Sequence, residues 1–301
     1  MTEQEIINII CRGIVKAPQK YGVGDDASPT ATDVAVTHDT MIEGVHFDDK
    51  LTAEDIGWKI VAVNVSDIAA MGGRPDWATL SLSVPTKISE KWVREMGIGL
   101  HKALNHWNIR LIGGDTTRSP GPIILSMCMG SVRSRTWTFK STAQAGNDIW
   151  VTGTLGDAAA GFYHHGENPL NKALQRPEPP TSLAYALHSF GLITAMTDLS
   201  DGLYVDLQHM CTASKVGAII EPDKIPESSF LYKKKDALAY KTMFGEDYEL
   251  LFAASPSMED VIRQTAAKYR IPVHKIGRFV SDATLCKLSG MEWPKPLFSH
   301  F

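Results

Sequence analysis

Residues 61–71, VAVNVSDIAAM, carry a single carboxylate, that of Asp67, in a run whose other side chains are mostly apolar or small. The surrounding pattern, from residue 53 to residue 71, predicts a helix with Thr52 as its N-cap. A carboxylate buried without a partner inside such a helix costs several kcal/mol, so Asp67 needs a hydrogen-bond donor or a cation. The sequence leaves two alternatives open: Asp67 bonded to a neighbouring turn or to Arg74, and Asp67 as a metal ligand.

Helix and strand patterns alternate on both sides of this segment, without a fixed repeat. The polar and basic stretch 133–147 shows little periodicity, and we predict a domain boundary there, with domains at residues 1–136 and 137–301. The fold prediction is therefore α+β, with two mixed α/β domains. The other helices are expected at residues 2–13 and 89–106, and the strands at 32–37, 78–84, 109–112, 123–132 and 148–152.

Composition and charge narrow the classes of function. The chain has 301 residues, 44% of them hydrophobic, which is enough to bury a large core. A net charge of -4 indicates neither a nucleic-acid nor an anionic-membrane partner. The start, MTEQEIINII, is acidic where a signal peptide is basic, and no apolar run approaches the roughly 18 residues of a membrane span. The four cysteines form no CxxC pair, so we expect a cytoplasmic protein without a zinc site or a disulfide framework.

Acidic residues recur beside glycines or in short turn-like stretches. Taken singly, such a pair is more typical of a turn than of a ligand. Their number in one chain, each beside an apolar stretch, favours a shared site. Mg²⁺ binds oxygen ligands, usually a few carboxylates together with substrate phosphates, so the pattern favours a magnesium-dependent phosphoryl-transfer enzyme that uses ATP. The pairs are Gly24-Asp25-Asp26, Asp39 with Glu43 and His46, Gly113-Gly114-Asp115, Asp198 and Asp201 before Gly202, and Gly245-Glu246-Asp247.

A glycine-rich loop, residues 153–156, lies between a predicted strand and an alanine-rich helix. Its backbone N–H groups could receive a phosphate at the helix N-terminus, or the loop could be only a tight turn. It lacks the GK[ST] of a P-loop and the GxGxxG spacing. The chain also lacks a GxSxG elbow, an HExxH zinc motif and the HRD/DFG set of protein kinases.

Seven stretches together resemble the thiamine-monophosphate kinase family, within the wider superfamily of aminoimidazole ribonucleotide synthetase and selenophosphate synthetase. They run in the family's order across most of the chain, which makes the set far more specific than any one motif. The stretches are GVGDDAS (22–28), THDTMIEGVHF (37–47), WKIVAVNVSDIAAMGGRP (58–75), LIGGDTT (111–117), VTGTLGDAAAG (151–161), TDLSDGL (197–203) and GEDYELLF (245–252).

The resemblance implies transfer of the ATP γ-phosphoryl group to thiamine monophosphate, giving thiamine diphosphate. The acceptor is a phosphate monoester with a second pKa of about 6, so it is largely ionised at neutral pH and needs no strong general base. The resemblance also implies an N-terminal domain of the aminoimidazole ribonucleotide synthetase type, which binds ATP and Mg²⁺ and forms a homodimer through its sheet. The C-terminal α/β domain would complete the active site, with no nucleic-acid or membrane partner.

Site residues are carried over motif by motif. The implied magnesium ligands are Asp26, Thr37, His38, Asp39, Asp67, Asp115, Asp198 and Asp201. Among them, the carboxylates implied in catalysis are Asp26, Asp67, Asp115 and Asp198. The implied nucleotide contacts are Gly114, Asp115, Lys140 and Ser200. The implied contacts to thiamine monophosphate are His46, Glu246 and Phe298.

Three departures from the family pattern keep alternatives open. His38 stands where the family has Thr, Lys140 stands where it has Arg, and Glu178 precedes the two prolines of a loop that in the family ends in Arg. Lys cannot reproduce the bidentate fork of Arg. The alternatives are a sister enzyme like aminoimidazole ribonucleotide synthetase and a non-catalytic nucleotide-binding regulator. Selenophosphate synthetase would want a reactive Cys or selenocysteine near a glycine-rich N-terminus, whereas Cys11 lies inside a predicted helix.

Overall fold

The computed structural model describes residues 25–30, 33–134, 136–164, 171–232 and 234–295. The helix expected at residues 2–13 and the substrate contact expected at Phe298 lie outside the described residues. Within the described ranges, no helix is both long enough and apolar enough to cross a bilayer.

Among the described residues, the N-terminal half forms one sheet with two helices. Its strands lie in the order β1-β2-β5-β3-β4, in which β3 and β4 are parallel and the other neighbours antiparallel. The elements are β1 (Ser28–Pro29), β2 (Ala35–Ile42), α1 (Ala53–Ala70), β3 (Pro75–Pro85), α2 (Glu90–His106), β4 (Arg110–Ser119) and β5 (Ile124–Ser131).

The central helix α1 begins and ends as the sequence predicts. The Thr52 side chain accepts a hydrogen bond from the Asp55 N–H, and Gly72 follows the helix with a φ of 70°, a conformation that favours glycine. Gly57 lets α1 approach the backbone of α2 at Met96, where a Cβ would clash. Because α1 packs on α2, on the first sheet and on a strand and two helices of the second half, nearly every side of it is buried.

The C-terminal half is built around a mixed sheet of order β11-β8-β10-β6-β9-β7. Apolar clusters lie on both of its faces, and Ala69 of α1 belongs to one of them. The elements are β6 (Asp148–Thr152), α3 (Asp157–Tyr163), α4 (Asn171–Gln175), α5 (Thr181–Ser189), β7 (Ala195–Asp198), α6 (Leu203–Ser214), β8 (Gly217–Ile220), α7 (Ala237–Met243), β9 (Leu250–Ala254), α8 (Glu259–Tyr269), β10 (Val273–Val280) and β11 (Cys286–Leu288).

Two local expectations are corrected. Asp39 was expected in an acidic turn after a strand, but it lies inside β2. Gly114 and Asp115 were expected to follow a strand, but they lie inside β4, which extends to Ser119. In both cases pairing with a neighbouring strand outweighs the turn preference of Gly and Asp.

The domain boundary between residues 136 and 137 stays a prediction; it falls between the two sheets.

Candidate active site

Carboxylates from both halves of the chain meet in a cavity of about 490 Å³. Strand β2 and helix α1 supply one wall, and two loops of the C-terminal half, residues 199–202 and 244–249, supply the other. The carboxylates that line the cavity are those of Asp39, Asp67, Asp198, Asp201 and Glu246.

The periodicity of each element determines which side chains face the cavity. On α1, residues four apart share a face, and Lys59, Val63 and Asp67 all line the cavity. On β2, alternate residues share a face, and the Thr37 hydroxyl donates a hydrogen bond to the Asp67 carboxylate. Asp39 lies on the same face as Thr37 and therefore also faces Asp67.

Burial and mutual repulsion raise the pKa values of Asp39, Asp67 and Asp198. Burial raises the pKa of Asp67 well above its usual range, and the charges of Asp39 and Asp198 raise it further. Burial, followed by the charge of Asp26, raises the pKa of Asp198 to about 7, although the Ser66 hydroxyl donates to it over 2.6 Å. These three carboxyl groups cannot all be fully ionised at neutral pH without added positive charge.

Asp26 lies at one end of the cluster. Its Oδ1 atom accepts from Lys140 Nζ at 3.1 Å and from the Thr197 hydroxyl at 3.0 Å. Its Oδ2 atom is buried and has no hydrogen-bond donor among the described residues. This unpaired carboxylate oxygen and the neighbouring carboxyl groups together provide the oxygen ligands that a hard divalent cation prefers. The residues present therefore fit Mg²⁺.

A second, smaller cavity of about 250 Å³ adjoins the first. Its apolar walls include Phe47, Leu51, Phe162 and Phe244. The two cavities have six lining residues in common: Val45, His46, Lys59, Ser200, Asp201 and Glu246. We call them the carboxylate cavity and the apolar cavity.

A strained loop closes the junction between the cavities. Glu246 and Tyr248 have φ values of 73° and 51°, which non-glycine residues rarely adopt. The Glu246 N–H donates to the Ser200 carbonyl over 2.9 Å, and Gly245 packs against that carbonyl so closely that a Cβ would clash. This packing holds the Glu246 carboxylate against the buried ammonium group of Lys59, with which it forms an ion pair.

Comparison with known proteins agrees with this architecture. Models of the AIR synthase related proteins match residues 24–132 with their N-terminal domain and residues 144–285 with their C-terminal domain. Thiamine-monophosphate kinase of Buchnera aphidicola subsp. Acyrthosiphon pisum is 37% identical over 273 residues, which cover 85% of this chain and 83% of that protein. The chain belongs to the thiamine-monophosphate kinase family.

Solved structures of this family superpose on nearly all of the chain. Thiamine-monophosphate kinase from Stenotrophomonas maltophilia K279a has 36% identity and a TM-score of 0.80, over 97% of this chain and 96% of that one. AaThiL complexed with AMPPCP and TMP has 27% identity and a TM-score of 0.84, over 98% of this chain and 95% of that one. The resemblance found from the motifs and the two-domain α+β fold are therefore both confirmed.

Two residues implied by the thiamine-monophosphate kinase pattern lie outside the cavity of their own chain. Strand register aligns Asp115 with Ser81, Ser126 and Thr40 in one row across the sheet. Asp115 is thus three strands from β2, about 14 Å at the usual spacing, and points to the face opposite Asp39. Gly114 lies beside it on the exposed edge strand β4.

His38 is also turned away from the carboxylate cavity. It lies between Thr37 and Asp39 on β2, so strand alternation places its side chain on the outer face of the sheet, where it is exposed. We therefore leave His38 out of the metal site proposed below. The sequence could have indicated this, because adjacent residues of a strand cannot face the same cavity.

Asp247 binds a backbone N–H group of the glycine-rich loop, residues 153–156, and one of the helix that follows it. Its carboxyl oxygens accept from the Gly156 N–H at 2.7 Å and from the Ala158 N–H at 3.2 Å, at the start of α3. The N–H groups that could have received a phosphate are thus bound by a carboxyl group of the chain itself. This favours the tight-turn alternative and gives Asp247 a structural place, unlike its neighbour Glu246.

Lys59 is the site residue that sequence reasoning missed. Lysine is among the residues least often found fully buried, so a lysine in a helix is normally assigned to the surface. The available signal was its spacing: Lys59 lies eight residues before Asp67 and hence on the same face of α1.

Proposed function

We propose that the protein transfers the γ-phosphoryl group of ATP to thiamine monophosphate and forms thiamine diphosphate. The observation that carries this proposal is the junction of a carboxylate cavity with an apolar cavity. The first suits a polyphosphate with its metal ions, and the second suits the rings of the acceptor. The names of the relatives, and the complex of AaThiL with AMPPCP and TMP, support the same reaction.

Magnesium is the proposed metal. The residues that would hold it line or border the carboxylate cavity: Asp26, Thr37, Asp39, Asp67, Asp198 and Asp201. When bound, Mg²⁺ neutralises charge on the phosphate oxygens. The raised pKa values of Asp39, Asp67 and Asp198 support a cation at this place, because each carboxyl group becomes easier to ionise beside positive charge.

In the proposed reaction, an oxygen of the acceptor phosphate attacks the γ-phosphorus of ATP. A bond forms between these atoms, the bond from the γ-phosphorus to the bridging oxygen breaks, and its electrons leave with ADP. The acceptor oxygen is largely ionised at neutral pH, so the chain needs no general base. What the chain supplies is orientation, charge balance and exclusion of water.

Individual side chains orient the two substrates in this proposal. Lys140, which binds Asp26, and Ser200, which lines both cavities, contact the nucleotide. His46 and Glu246 lie at the junction and face the acceptor. His46 accepts the Ile42 N–H at Nδ1 over 3.1 Å, so a neutral ring carries its proton on Nε2 and can donate from there.

We also propose that two copies of the chain associate through the outer face of the first sheet. Helix α1 packs on the inner face, whereas outer-face positions such as His38 and Ser81 are exposed. On the edge strand β4, Leu111 and Ile112 are also exposed. Exposed apolar side chains on an unpaired edge are typical of an interface.

The cytoplasmic location stays a prediction.

A direct assay tests the function. Purified protein is incubated with ATP, Mg²⁺ and thiamine monophosphate, and thiamine diphosphate is measured by chromatography, with an EDTA control. We expect product that EDTA abolishes. If protein that binds ATP and Mg²⁺ gives no product, the proposal falls. The protein then either uses the substrate of a sister enzyme or is a non-catalytic nucleotide-binding regulator.

A further inference from the structure

Lys59 is buried almost completely, with 2% of its surface exposed, yet its ammonium group reaches the junction of the two cavities. Of the described residues that line either cavity, it is the one with an ammonium or guanidinium group. Burying a charge is costly unless it is paired, and Glu246 is the partner that the fold provides. This pair borders open cavity space and is not enclosed by apolar packing alone.

The position of Lys59 along α1 separates it from the cluster of crowded carboxyl groups. It lies eight residues from Asp67, about 12 Å along the helix axis, with Val63 between them on the same face. The other lysine near the carboxylate cluster, Lys140, lies at the Asp26 end of that cluster. It binds Asp26 at 3.1 Å and lines neither cavity. Lys59 is therefore the cation on the side of the apolar cavity.

An acceptor whose rings fill the apolar cavity must place its phosphate at the junction. That phosphate is an anion among the carboxylates of Asp201, Glu246 and Asp39, which repel it. An ammonium group at the junction offsets this repulsion and donates to phosphate oxygens.

We propose that Lys59 is a catalytic residue that binds the phosphate of the acceptor through its ammonium group and orients it toward the carboxylate cavity. Lys59 keeps its three protons throughout, so the bond changes are those of phosphoryl transfer alone. Glu246, held in its strained loop, orients the ammonium group before the acceptor enters. This inference rests on the proposed function.

The test compares a ligand that carries the phosphate with one that lacks it. Lys59→Met keeps the length of the side chain and removes the charge. Dissociation constants of thiamine monophosphate and of thiamine are measured by calorimetry in wild-type protein and in this variant. We expect the preference for the phosphorylated ligand to fall by about 10- to 100-fold, because a hydrogen bond to a charged group is lost, while thiamine and MgATP bind as before.

Kinetics add a second readout. With Lys59→Met, kcat/KM for thiamine monophosphate should fall by at least the same factor, while the KM for ATP stays within about threefold. Lys59→Arg keeps a cation and should restore most of the preference. The matched control is Lys241→Met, since Lys241 is likewise buried and pairs with Glu227 over 2.8 Å, away from both cavities.

Each outcome decides between the two proposals. If Lys59→Met retains the wild-type preference, or loses thiamine and thiamine monophosphate equally, the role of Lys59 is overturned and the function stands. If wild-type protein binds thiamine monophosphate but does not phosphorylate it, the function falls and the binding comparison still tests Lys59. If it does not bind, both fall. Should Lys59→Met not fold, Lys59→Gln replaces it, because it also removes the charge but can still hydrogen-bond to Glu246. The same loss of preference is expected, and a retained preference contradicts the proposal.

Discussion

Asp67 shows how a buried carboxyl group can be retained in a helix. The Thr37 hydroxyl donates to it from β2, and Arg74, the cation considered from the sequence, instead lies with its guanidinium over the Tyr185 ring at 4.8 Å. Its remaining neighbours, Asp39 and Asp198, raise its pKa. Among the described residues, no basic side chain forms an ion pair with Asp67 to offset this repulsion, which favours the ligand alternative.

The first residue-scale prediction concerns Asp67→Asn. The amide keeps the shape of the carboxyl group and still accepts from Thr37, but it provides no anion for a cation. Turnover should fall by at least about 100-fold, because charge neutralisation at the phosphates is lost. The unfolding temperature should stay equal or rise, since repulsion with Asp39 and Asp198 is relieved.

Activity is measured by product formation and stability by thermal unfolding. Asp76→Asn is the control, because Asp76 is a carboxylate at the protein surface that pairs with Arg110 over 2.8 Å. Near-normal turnover by Asp67→Asn would remove Asp67 from the proposed metal site.

At the scale of elements, Glu249 joins the ends of two strands of the second sheet. Its buried carboxyl group accepts from the Thr152 hydroxyl at the end of β6, and that hydroxyl accepts the Leu250 N–H at the start of β9. Burial raises the pKa of Glu249 to about 7. The folded chain therefore holds a proton there that the unfolded chain releases at lower pH.

The element-scale prediction is that Glu249→Gln stabilises the protein more as pH rises. Between the unfolded and the folded pKa the native state binds more protons, so the wild type loses stability as pH increases from about 4.5 to about 7. The amide has no such loss and still accepts from Thr152. Its advantage in free energy of unfolding should be about 2 kcal/mol larger at about pH 8 than at about pH 5.

Urea unfolding at the two pH values measures this difference. Glu178→Gln, at a surface carboxylate that pairs with Lys172 over 3.3 Å, is the control and should show almost no pH-dependent gain. An advantage of Glu249→Gln that shrinks with rising pH would contradict the assigned pKa.

At the scale of the whole molecule, α1 connects the two halves. It packs on β2 and β5 of the first sheet, and its Ser66 hydroxyl donates to Asp198 at the end of β7 in the second. The carboxylate cavity lies along this connection, so neither half alone contains the complete set of facing groups. Asp115 and His38, on the outer face of the first sheet, remain apart from it.

The whole-molecule prediction tests the proposed dimer. Ser81→Arg places a long charged side chain in the middle of the outer face, and burying it in an interface would leave the charge unpaired. Light scattering after size-exclusion chromatography should show the mass of two chains for the wild type and of one for this variant. Ser281→Arg, at an exposed site in the C-terminal half, is the control and should remain a dimer. A monomeric wild type would refute the proposal.

Local patterns in the sequence were enough for the helix around Asp67, its Thr52 cap, the main strands and the family motifs, because each depends on neighbours within a few residues. The identity of most carboxylates in the cavity, Asp39 and Asp198 among them, also followed from those motifs. By contrast, the positions of His38 and Asp115 required strand alternation and register, since residues adjacent in a motif can face opposite sides of a sheet.

By itself, the sequence determined the family, the fold class and the carboxyl groups from which the proposed site is built. Only the tertiary structure decided which of them face one another, that Asp247 binds a helix N-terminus while Glu246 faces the cavity, and that Lys59 meets Glu246 at the junction. The physical reason is that motifs record neighbours along the chain. Burial, repulsion and ion pairing depend on distances through space. Lys59 and Glu246, which are far apart along the chain, are in contact in the folded protein.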